Sequence, residues 1–229
     1  MRLIVFILSL CFSNGVIFAQ EEAEVVPPVK NQDFVLDLYI GYPNWGTYNF
    51  DSYITEITNS RPSTVQGIVP VGLKAEFMLS DEISFTLDGS YSEWGGEWDY
   101  EQNTVDGNNN PVINTYENNF KASRFMFQIG ANYHLPDLGR DDLDMYMGFG
   151  IGTNNINTSG DVEQPGFDAK SQMYFLNNGF FATSATLVNS PISARFRLGG
   201  RYFFNENLGV NVEVGTGVRT IAFGLAYKL

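Results

Sequence analysis

Period-two alternation of apolar and polar residues is the feature that most constrains how this chain can fold. From Phe34 onwards, eight segments alternate in this way, and each has one continuous apolar face. Because successive side chains of a β-strand point to opposite sides of a sheet, the pattern predicts eight strands. The chain is therefore expected to be all-β, with one apolar face and one face rich in Gly, Ser, Thr and isolated charges.

The lengths of the connections separate the two all-β architectures that fit, a soluble sandwich and a membrane barrel. Short turns join strands 2 and 3, 4 and 5, and 6 and 7. Loops of about 25, 28 and 38 residues separate strands 1 and 2, 3 and 4, and 5 and 6, a rhythm typical of transmembrane barrels. Only 17% of the residues are charged, against about 25% in soluble domains. The sequence thus predicts a membrane-spanning antiparallel up-and-down β-barrel of eight strands, closed because an open edge would leave unpaired backbone groups in hydrocarbon.

The N-terminus has the pattern of a secreted precursor. Residues 1–19 read as a signal peptide, in which Arg2 precedes an apolar run that is too short to cross a bilayer as a helix. Cys11, the only cysteine, lies in this segment, so the mature protein is expected to have no disulfide. Residues 20–32 are acidic, contain a Pro pair and are predicted to be a flexible periplasmic lead-in. The barrel domain is predicted to occupy residues 33–229.

The C-terminus carries the most specific motif. Gly224, Tyr227 and Leu229 end an alternating strand. This ending resembles the assembly signal of the small OmpA/OmpX-like outer-membrane β-barrels of Gram-negative bacteria, and the resemblance covers about residues 33–229. It implies a multi-pass barrel in the outer membrane with both termini periplasmic. It also implies contact with outer-membrane lipid and lipopolysaccharide, and recognition by the barrel-assembly machinery during biogenesis. It implies little about activity, because one fold hosts many functions.

Charged side chains on the polar faces are expected to meet inside the barrel. The predicted interior network comprises Lys74, Glu76, Asp88, Arg124, His134, Asp144, Arg195, Arg197, Arg201 and Glu213, together with Asp37. Acidic and basic groups are nearly balanced, as a paired network requires, because a buried unpaired charge is very unfavourable. An eight-stranded barrel is just wide enough for side chains to fill it. The network is therefore interpreted as a packed polar plug rather than as the lining of a pore.

Short turns also predict which interior residues face one another. Centring the turn between strands 2 and 3 on Asp81 places Lys74 opposite Asp88, and these two are expected to form an ion pair. The turn between strands 6 and 7, centred on Glu206, places Glu213 opposite Gly199. Centring the longer connection between strands 4 and 5 on Gly139 places His134 opposite Asp144, although a connection of this length leaves the register open.

Catalytic, cofactor-binding and metal-binding residues are not predicted. His134 is the only histidine, and nothing in the sequence places a serine and an oxyanion hole beside it. No cluster of His and Cys suits zinc. The segment from Asp106 to Glu117 has calcium-loop spacing but carries Pro111 where a glycine is needed, and it is interpreted as a polar turn. A net charge of −13 disfavours nucleic acid as a partner.

The long loops are acidic and aromatic. Candidate interaction residues are Trp45, Trp94, Trp98 and Tyr100, and the third loop adds Tyr174, Phe175, Phe180 and Phe181. Such side chains either bind a partner or pack on one another over the barrel mouth, and the sequence leaves both open. The resulting hypothesis is a structural or accessory interaction subunit, acting through its loops or barrel face in a larger outer-membrane protein complex. The alternatives are a small-solute pore or a hydrophobic-ligand transporter. An outer-membrane enzyme ranks below both of these alternatives.

Overall fold

The computed structural model describes residues 28–58, 62–136, 138–165, 192–217 and 219–229. The predicted signal peptide, residues 20–27 of the predicted lead-in, and the aromatic residues of the third loop lie outside these ranges. Among the described residues, no helix is long and apolar enough to cross a bilayer.

Eight antiparallel strands form a closed barrel in which each strand pairs with its sequence neighbours and the last pairs with the first. The elements are β1 (Phe34–Tyr42), α1 (Trp45–Thr58), β2 (Thr64–Met78), β3 (Ile83–Val105), β4 (Pro111–His134), β5 (Leu143–Ser159), β6 (Ile192–Phe203), β7 (Leu208–Gly215) and β8 (Ile221–Lys228). The predicted eight-stranded up-and-down barrel is confirmed. We call the end with the three short turns the turn end, and the opposite end the loop end.

The outer surface of the barrel is apolar over all eight strands. Large side chains such as Leu38, Phe149 and Phe223 each expose half or more of their surface there. Five aromatic side chains lie together on this surface near the turn end, namely Phe77, Tyr133, Tyr202, Phe204 and Tyr227. A soluble monomer rarely exposes a contiguous apolar patch of more than a few hundred Å². An apolar band bordered by aromatic residues is instead the surface of a membrane-spanning barrel.

Two strands are much longer than the sequence predicts. Strand β3 has 23 residues and β4 has 24, whereas their alternation was expected to stop near Tyr91 and to resume near Arg124. The predicted second loop is therefore a β-hairpin that extends the sheet beyond the barrel and turns at 106–110. The prediction was wrong here because Glu, Asn and Asp replace the apolar outer face above the band, and the pattern that marks a strand disappears.

The first long loop is also not irregular, because it contains the helix α1. The Asn44 side chain caps the helix: its Oδ1 accepts hydrogen bonds from the backbone N–H groups of Gly46 and Thr47 at 3.1 and 3.5 Å. Its Nδ2 donates to the carbonyls of Ile68 and Glu93 at 2.9 and 2.7 Å. One side chain therefore both starts the helix and fastens it to β2 and β3. Over the described ranges the fold is all-β in its barrel, with the helix α1 added.

The end of the predicted lead-in is packed against the turn end of the barrel. Val29 is buried in an apolar cluster with Val35, Met78, Phe203 and Ala226. Lys228 Nζ donates to the carbonyl of Pro28 at 2.6 Å. For residues 28–32, the expected flexible segment is thus replaced by chain that is docked beneath the barrel. The apolar residues that hold it lie at or near the ends of the strands next to the short turns and at the start of the chain's first strand.

Candidate functional site

Arg201 is the centre of the charge network nearest the turn end. Its guanidinium donates to Asp37 Oδ2 at 2.7 Å and to Asp144 Oδ2 at 2.8 Å, and it also contacts Glu76. All four side chains are buried. One cation thus faces three carboxylates from three different strands, β1, β2 and β5. Guanidinium suits this position because its five fixed donors can serve several acceptors at once.

His134 completes this group, which we call the Arg201 cluster. Its Nδ1 lies 2.7 Å from Asp144 Oδ1 and its Nε2 lies 2.8 Å from Glu76 Oε1. The predicted contact with Asp144 is present, but the backbone register differs, because His134 faces Tyr146 across the strands. The connection between β4 and β5 is centred one residue later than expected, so the His134–Asp144 contact is diagonal rather than direct.

A serine that the sequence did not single out stands beside the histidine. Ser84 Oγ lies 3.2 Å from His134 Nε2, while Asp144 holds Nδ1, so the three residue types of a hydrolytic triad are adjacent. Their surroundings differ from a nucleophilic site. The Ser84 hydroxyl donates to Glu76, which also occupies His134 Nε2, and Ser84 is fully buried. This arrangement satisfies the buried polar groups of Ser84, His134 and Glu76.

Lys74 shows where register alone does not determine an ion pair. Lys74 and Asp88 are direct cross-strand neighbours, as the turn predicts. The Lys74 ammonium nevertheless contacts Asp37 at 3.1 Å and Glu213 at 2.9 Å, and it donates to the Tyr146 hydroxyl at 2.7 Å. The predicted Lys74–Asp88 ion pair is wrong. The reason is competition, because Arg219 and the Tyr39 hydroxyl both bind the Asp88 carboxylate.

A double-mutant cycle is expected to separate these two pairs. Lys74→Met combined with Glu213→Gln should show a coupling free energy of about 1–3 kcal/mol, because each single change leaves the partner's charge buried. For Lys74→Met combined with Asp88→Asn, the coupling free energy should be smaller by at least about 1 kcal/mol. Urea unfolding of the refolded protein in lipid vesicles measures both. Equal coupling in the two cycles would contradict the observed pairing.

Three arginines form the next layer of the interior, which we call the guanidinium layer. Arg195 donates to Glu213 Oε1 at 2.7 Å, and Arg219 donates to Asp88 Oδ2 at 2.6 Å. Arg197 donates to Thr86 Oγ1 at 2.6 Å and to Asn132 Oδ1 at 2.9 Å. Arg219 was missed from the sequence because it follows β7 in a connection, where no alternation shows which way a side chain points.

Two tyrosines pack among these charges, each opposite a glycine. Tyr39 faces Gly72 and Tyr146 faces Gly199 across neighbouring strands. A Cβ at either glycine would lie 2.2 Å from a tyrosine side-chain atom, so only glycine leaves room for the ring. The Arg219 guanidinium lies 4.0 Å above the Tyr39 ring centroid, and the Lys74 ammonium and the Arg201 guanidinium each lie 4.6 Å from that of Tyr146. An inward glycine opposite an inward tyrosine is the sequence signal that could have identified both.

An apolar cap, formed by α1 and the inner faces of β3 and β4, lies above the charged interior. Its members are Phe50, Ile54, Trp94, Trp98, Phe120 and Ala122, all of them buried. Phe50 stacks on Phe120 and meets Trp98 edge-on, with centroids 5.8 Å apart in both pairs. The Arg124 guanidinium lies 5.0 Å from the Trp94 ring, which joins the cap to the charges below.

The predicted loop interaction residues are distributed unequally. Trp94 and Trp98 expose only 2% and 1% of their surface, so neither is available to a partner, and self-packing is the arrangement they adopt. Trp45 is half-buried and donates from Nε1 to Thr220 Oγ1 at 3.2 Å, which ties α1 to the connection after β7. The ring centroid of Tyr100 lies 6.2 Å from that of Tyr116 on the inner face of the hairpin.

The end of the β3–β4 hairpin, which we call the ribbon, consists of 98–105 and 111–118. Among the described residues, β2 pairs with β3 only as far as Glu97, and β5 pairs with β4 only from Lys121 onwards. In the part of the chain that the structure describes, no strand therefore pairs with either backbone edge of the ribbon, and 163–164 contact only its base, where both backbone N–H groups donate to Asn118 Oδ1 at 3.0 Å. Val105 and Ile113 near its tip expose 65% and 62% of their surface.

The tip of the ribbon is a polar turn. Asp106 Oδ1 accepts hydrogen bonds from the backbone N–H groups of Asn108 and Asn110, both at 2.8 Å. The Asn110 side chain donates to Asp106 Oδ2 at 3.0 Å, and these hydrogen bonds, that of the Asn110 side chain foremost, hold the pKa of Asp106 below its ordinary value. The Asp106 carboxylate therefore stabilises the turn of its own hairpin. In the part of the chain that the structure describes, no group of three or more His, Cys, Asp or Glu residues could hold a metal ion.

The C-terminal motif lies at the seam where the barrel closes. Gly224 faces Tyr39 across the β1–β8 pair, and a Cβ there would lie 2.3 Å from the Leu38 carbonyl oxygen. Tyr227 and Leu229 point outwards into the apolar band. These positions give the motif a structural role in closing the barrel, and its role in assembly stays a prediction.

Similarity to known proteins is found among solved structures. No family model matches the sequence, and no curated protein matches it. Among solved structures, the chain is similar to a de novo designed transmembrane β-barrel, with 15% identity, a TM-score of 0.44 and coverage of 88% of this chain and 98% of that one. It is also similar to the outer-membrane protein OprG of Pseudomonas aeruginosa (11% identity, TM-score 0.42, coverage 87% and 97%) and to the N-terminal β-barrel domain of OprF from the same organism (11%, 0.39, 88% and 100%).

Proposed function

We propose that this protein is an integral protein of the Gram-negative outer membrane, of the small OmpA/OmpX-like type, and that it acts as a structural or accessory interaction subunit. The observation that carries the proposal is a barrel with a filled and capped interior that keeps a long two-stranded ribbon exposed. A conduit needs an open path, and an enzyme needs an accessible reactive group. A ribbon with open edges is instead suited to binding another protein.

The orientation in the membrane follows from the connections. Transmembrane barrels have short turns on the periplasmic side and longer loops outside the cell. The connection lengths therefore support a periplasmic turn end, with residues 28–32 docked beneath it. In this orientation the ribbon faces the outside of the cell.

The chemistry of the ribbon indicates the kind of partner that fits. Open strand edges offer backbone N–H and C=O groups to an added strand, which is a common mode of peptide recognition. The outer face carries Glu97, Asp99 and Glu101 on β3, with Glu117 directly opposite Asp99. All four carboxylates are exposed. They favour a basic partner, because charge complementarity steers association and selects against acidic proteins.

Shortening the ribbon tests this proposal. A variant without Asn103, Thr104, Val112 and Ile113 loses two cross-strand pairs but keeps the inward and outward faces of all other residues. A second variant, Val105→Ser with Ile113→Ser, removes only the apolar tip. Both should fold, because the cap and the buried network lie below these positions. Gentle detergent extraction from native membranes should then recover at least about tenfold less of the bound partner, a loss of about 1.4 kcal/mol in affinity.

The matched control is Thr104→Ser with Thr115→Ser, which changes the same ribbon without altering its charge, length or apolar tip. It should retain the partner, and raising the salt concentration should weaken binding to the unaltered protein. Full retention of the partner by both ribbon variants would overturn the assignment of the binding element. A protein that extracts as a clean monomer under every gentle condition would overturn the interaction role itself.

A further inference from the structure

We propose that the guanidinium layer binds a small monovalent anion of the halide type inside the barrel. The site would be formed by Arg195, Arg197 and Arg219. Nothing in the proposed interaction role requires it, because it concerns the buried interior rather than the ribbon.

The first observation is an excess of positive charge in this layer. Three guanidinium groups face two carboxylates, those of Asp88 and Glu213. Lys74 also contacts Glu213 but shares its charge with Asp37 in the cluster below. Arginine does not lose its proton in proteins, so the excess cannot be removed by titration. The three carboxylates of the cluster below are already engaged by Arg201, His134 and Lys74. Burying an uncompensated charge is strongly unfavourable, and a counter-ion within the layer itself would neutralise the local excess.

The second observation concerns hydrogen-bond donors. Five guanidinium nitrogens have no acceptor among the described residues: Nε and Nη1 of Arg195, Nη1 of Arg197, and Nε and Nη1 of Arg219. All three side chains are almost completely buried. Buried donors are nearly always satisfied in native proteins, and each one that is not destabilises the fold. Three neighbouring side chains with this deficit indicate a missing acceptor.

The third observation is that the three groups are neighbours. Arg195 and Arg219 both approach Glu213 Oε1, at 2.7 and 3.8 Å. Arg197 and Arg219 both approach Asp88 Oδ2, at 3.6 and 2.6 Å. The Tyr39 ring covers one face of the Arg219 guanidinium. The unused N–H donors of Arg219 lie in the guanidinium plane, so their acceptor would lie at the edge of this plane. A water molecule could accept these hydrogen bonds, but it would leave the charge excess in place, and for this reason we assign an anion.

Bromide replaces chloride in such sites and can be located by its anomalous scattering. Crystals of the refolded full chain grown with sodium bromide should show an anomalous peak within hydrogen-bonding distance of the Arg195 and Arg219 guanidiniums. Density there without an anomalous peak would identify water and overturn the proposal. Bromide bound only at exposed basic groups such as Arg140 or Lys121 would be an adventitious ion only, with the same consequence.

Unfolding in solution gives an independent test. At matched ionic strength, sodium chloride should raise the urea midpoint of the folded protein relative to sodium gluconate. A halide at ten times its Kd increases the folding equilibrium constant by about tenfold. Arg195→Gln should abolish the chloride effect, while Lys74 still pairs with Glu213 and Arg219 with Asp88. Arg140→Gln, at an exposed ion pair with Asp142, should keep it. An unchanged chloride effect in Arg195→Gln would overturn the proposal, and if that variant does not fold, the bromide peak decides.

Discussion

Replacing Arg201 by glutamine is expected to destabilise the folded barrel by about 3–5 kcal/mol, because it leaves the carboxylates of Asp37, Glu76 and Asp144 buried without their shared cation. The free energy of unfolding can be measured in urea with the protein in lipid vesicles. Folded barrel and unfolded chain should migrate differently on a gel run without boiling, so their ratio can be read directly. The free energy of unfolding of Arg201→Lys should lie between those of Arg201→Gln and the unaltered protein, because one ammonium cannot reproduce the divergent donors of a guanidinium.

The matched control for Arg201 is Arg140→Gln. Arg140 also pairs with an aspartate, Asp142, at 2.7 Å, but more than half of its side chain is exposed in the turn after β4. Exposed ion pairs contribute about 0–1 kcal/mol, so this variant should unfold almost like the unaltered protein. Equal stability of Arg201→Gln and Arg140→Gln would contradict the view that the Arg201 cluster holds the strands together.

The barrel itself could be predicted because the lipid-facing surface imposes a strict pattern. Strand number, order and closure all follow from alternation together with turn length. Two registers were also obtained, with Lys74 opposite Asp88 and Glu213 opposite Gly199. In these cases a short turn leaves few possible pairings. The longer β4–β5 connection allows more pairings, and its predicted centre, Gly139, lies one residue before the observed one.

The ion pairs could not be predicted, since register determines neighbouring Cα atoms and not the ends of long side chains. Within a narrow barrel, Lys74 reaches Glu213 on β7 in preference to Asp88 directly across from it. The decisive competitor for Asp88 is Arg219, whose position depends on a connection without alternation. Pairing inside the barrel is thus a property of the whole filled volume rather than of any two strands.

Helix α1 was missed for a different reason, which is that local signals conflict in its sequence. Asn44 is a good N-cap, and Phe50 and Ile54 have helical spacing. Gly46 and the threonines of the same segment weaken helix propensity, so no helix was expected. Tertiary packing decides the outcome, because the apolar residues of α1 are covered by Trp94, Trp98 and Phe120 from β3 and β4. Most helical stability in proteins comes from such packing.

Phe50→Ala is accordingly expected to release the cap without unfolding the barrel. Removing a buried phenylalanine destabilises packing by about 3–5 kcal/mol, and an isolated helix of 14 residues is marginal in water. Helix α1 should therefore separate from Trp98 and Phe120, which raises its opening equilibrium constant by at least about 100-fold. Limited proteolysis should cut within 45–58 correspondingly faster, because cleavage of a briefly opened segment follows the population of its open form.

Tyr48→Ala is the control on the same helix, since Tyr48 exposes 64% of its surface and lies outside the cap cluster. This variant should be cut at close to the original rate. In both variants the folded barrel should keep its gel mobility, because the Arg201 cluster and the guanidinium layer lie below the cap. Loss of folded mobility in Phe50→Ala would mean that cap and barrel unfold as one unit. Unchanged proteolysis would mean that α1 is held by the Asn44 cap and the Trp45–Thr220 hydrogen bond rather than by its apolar face.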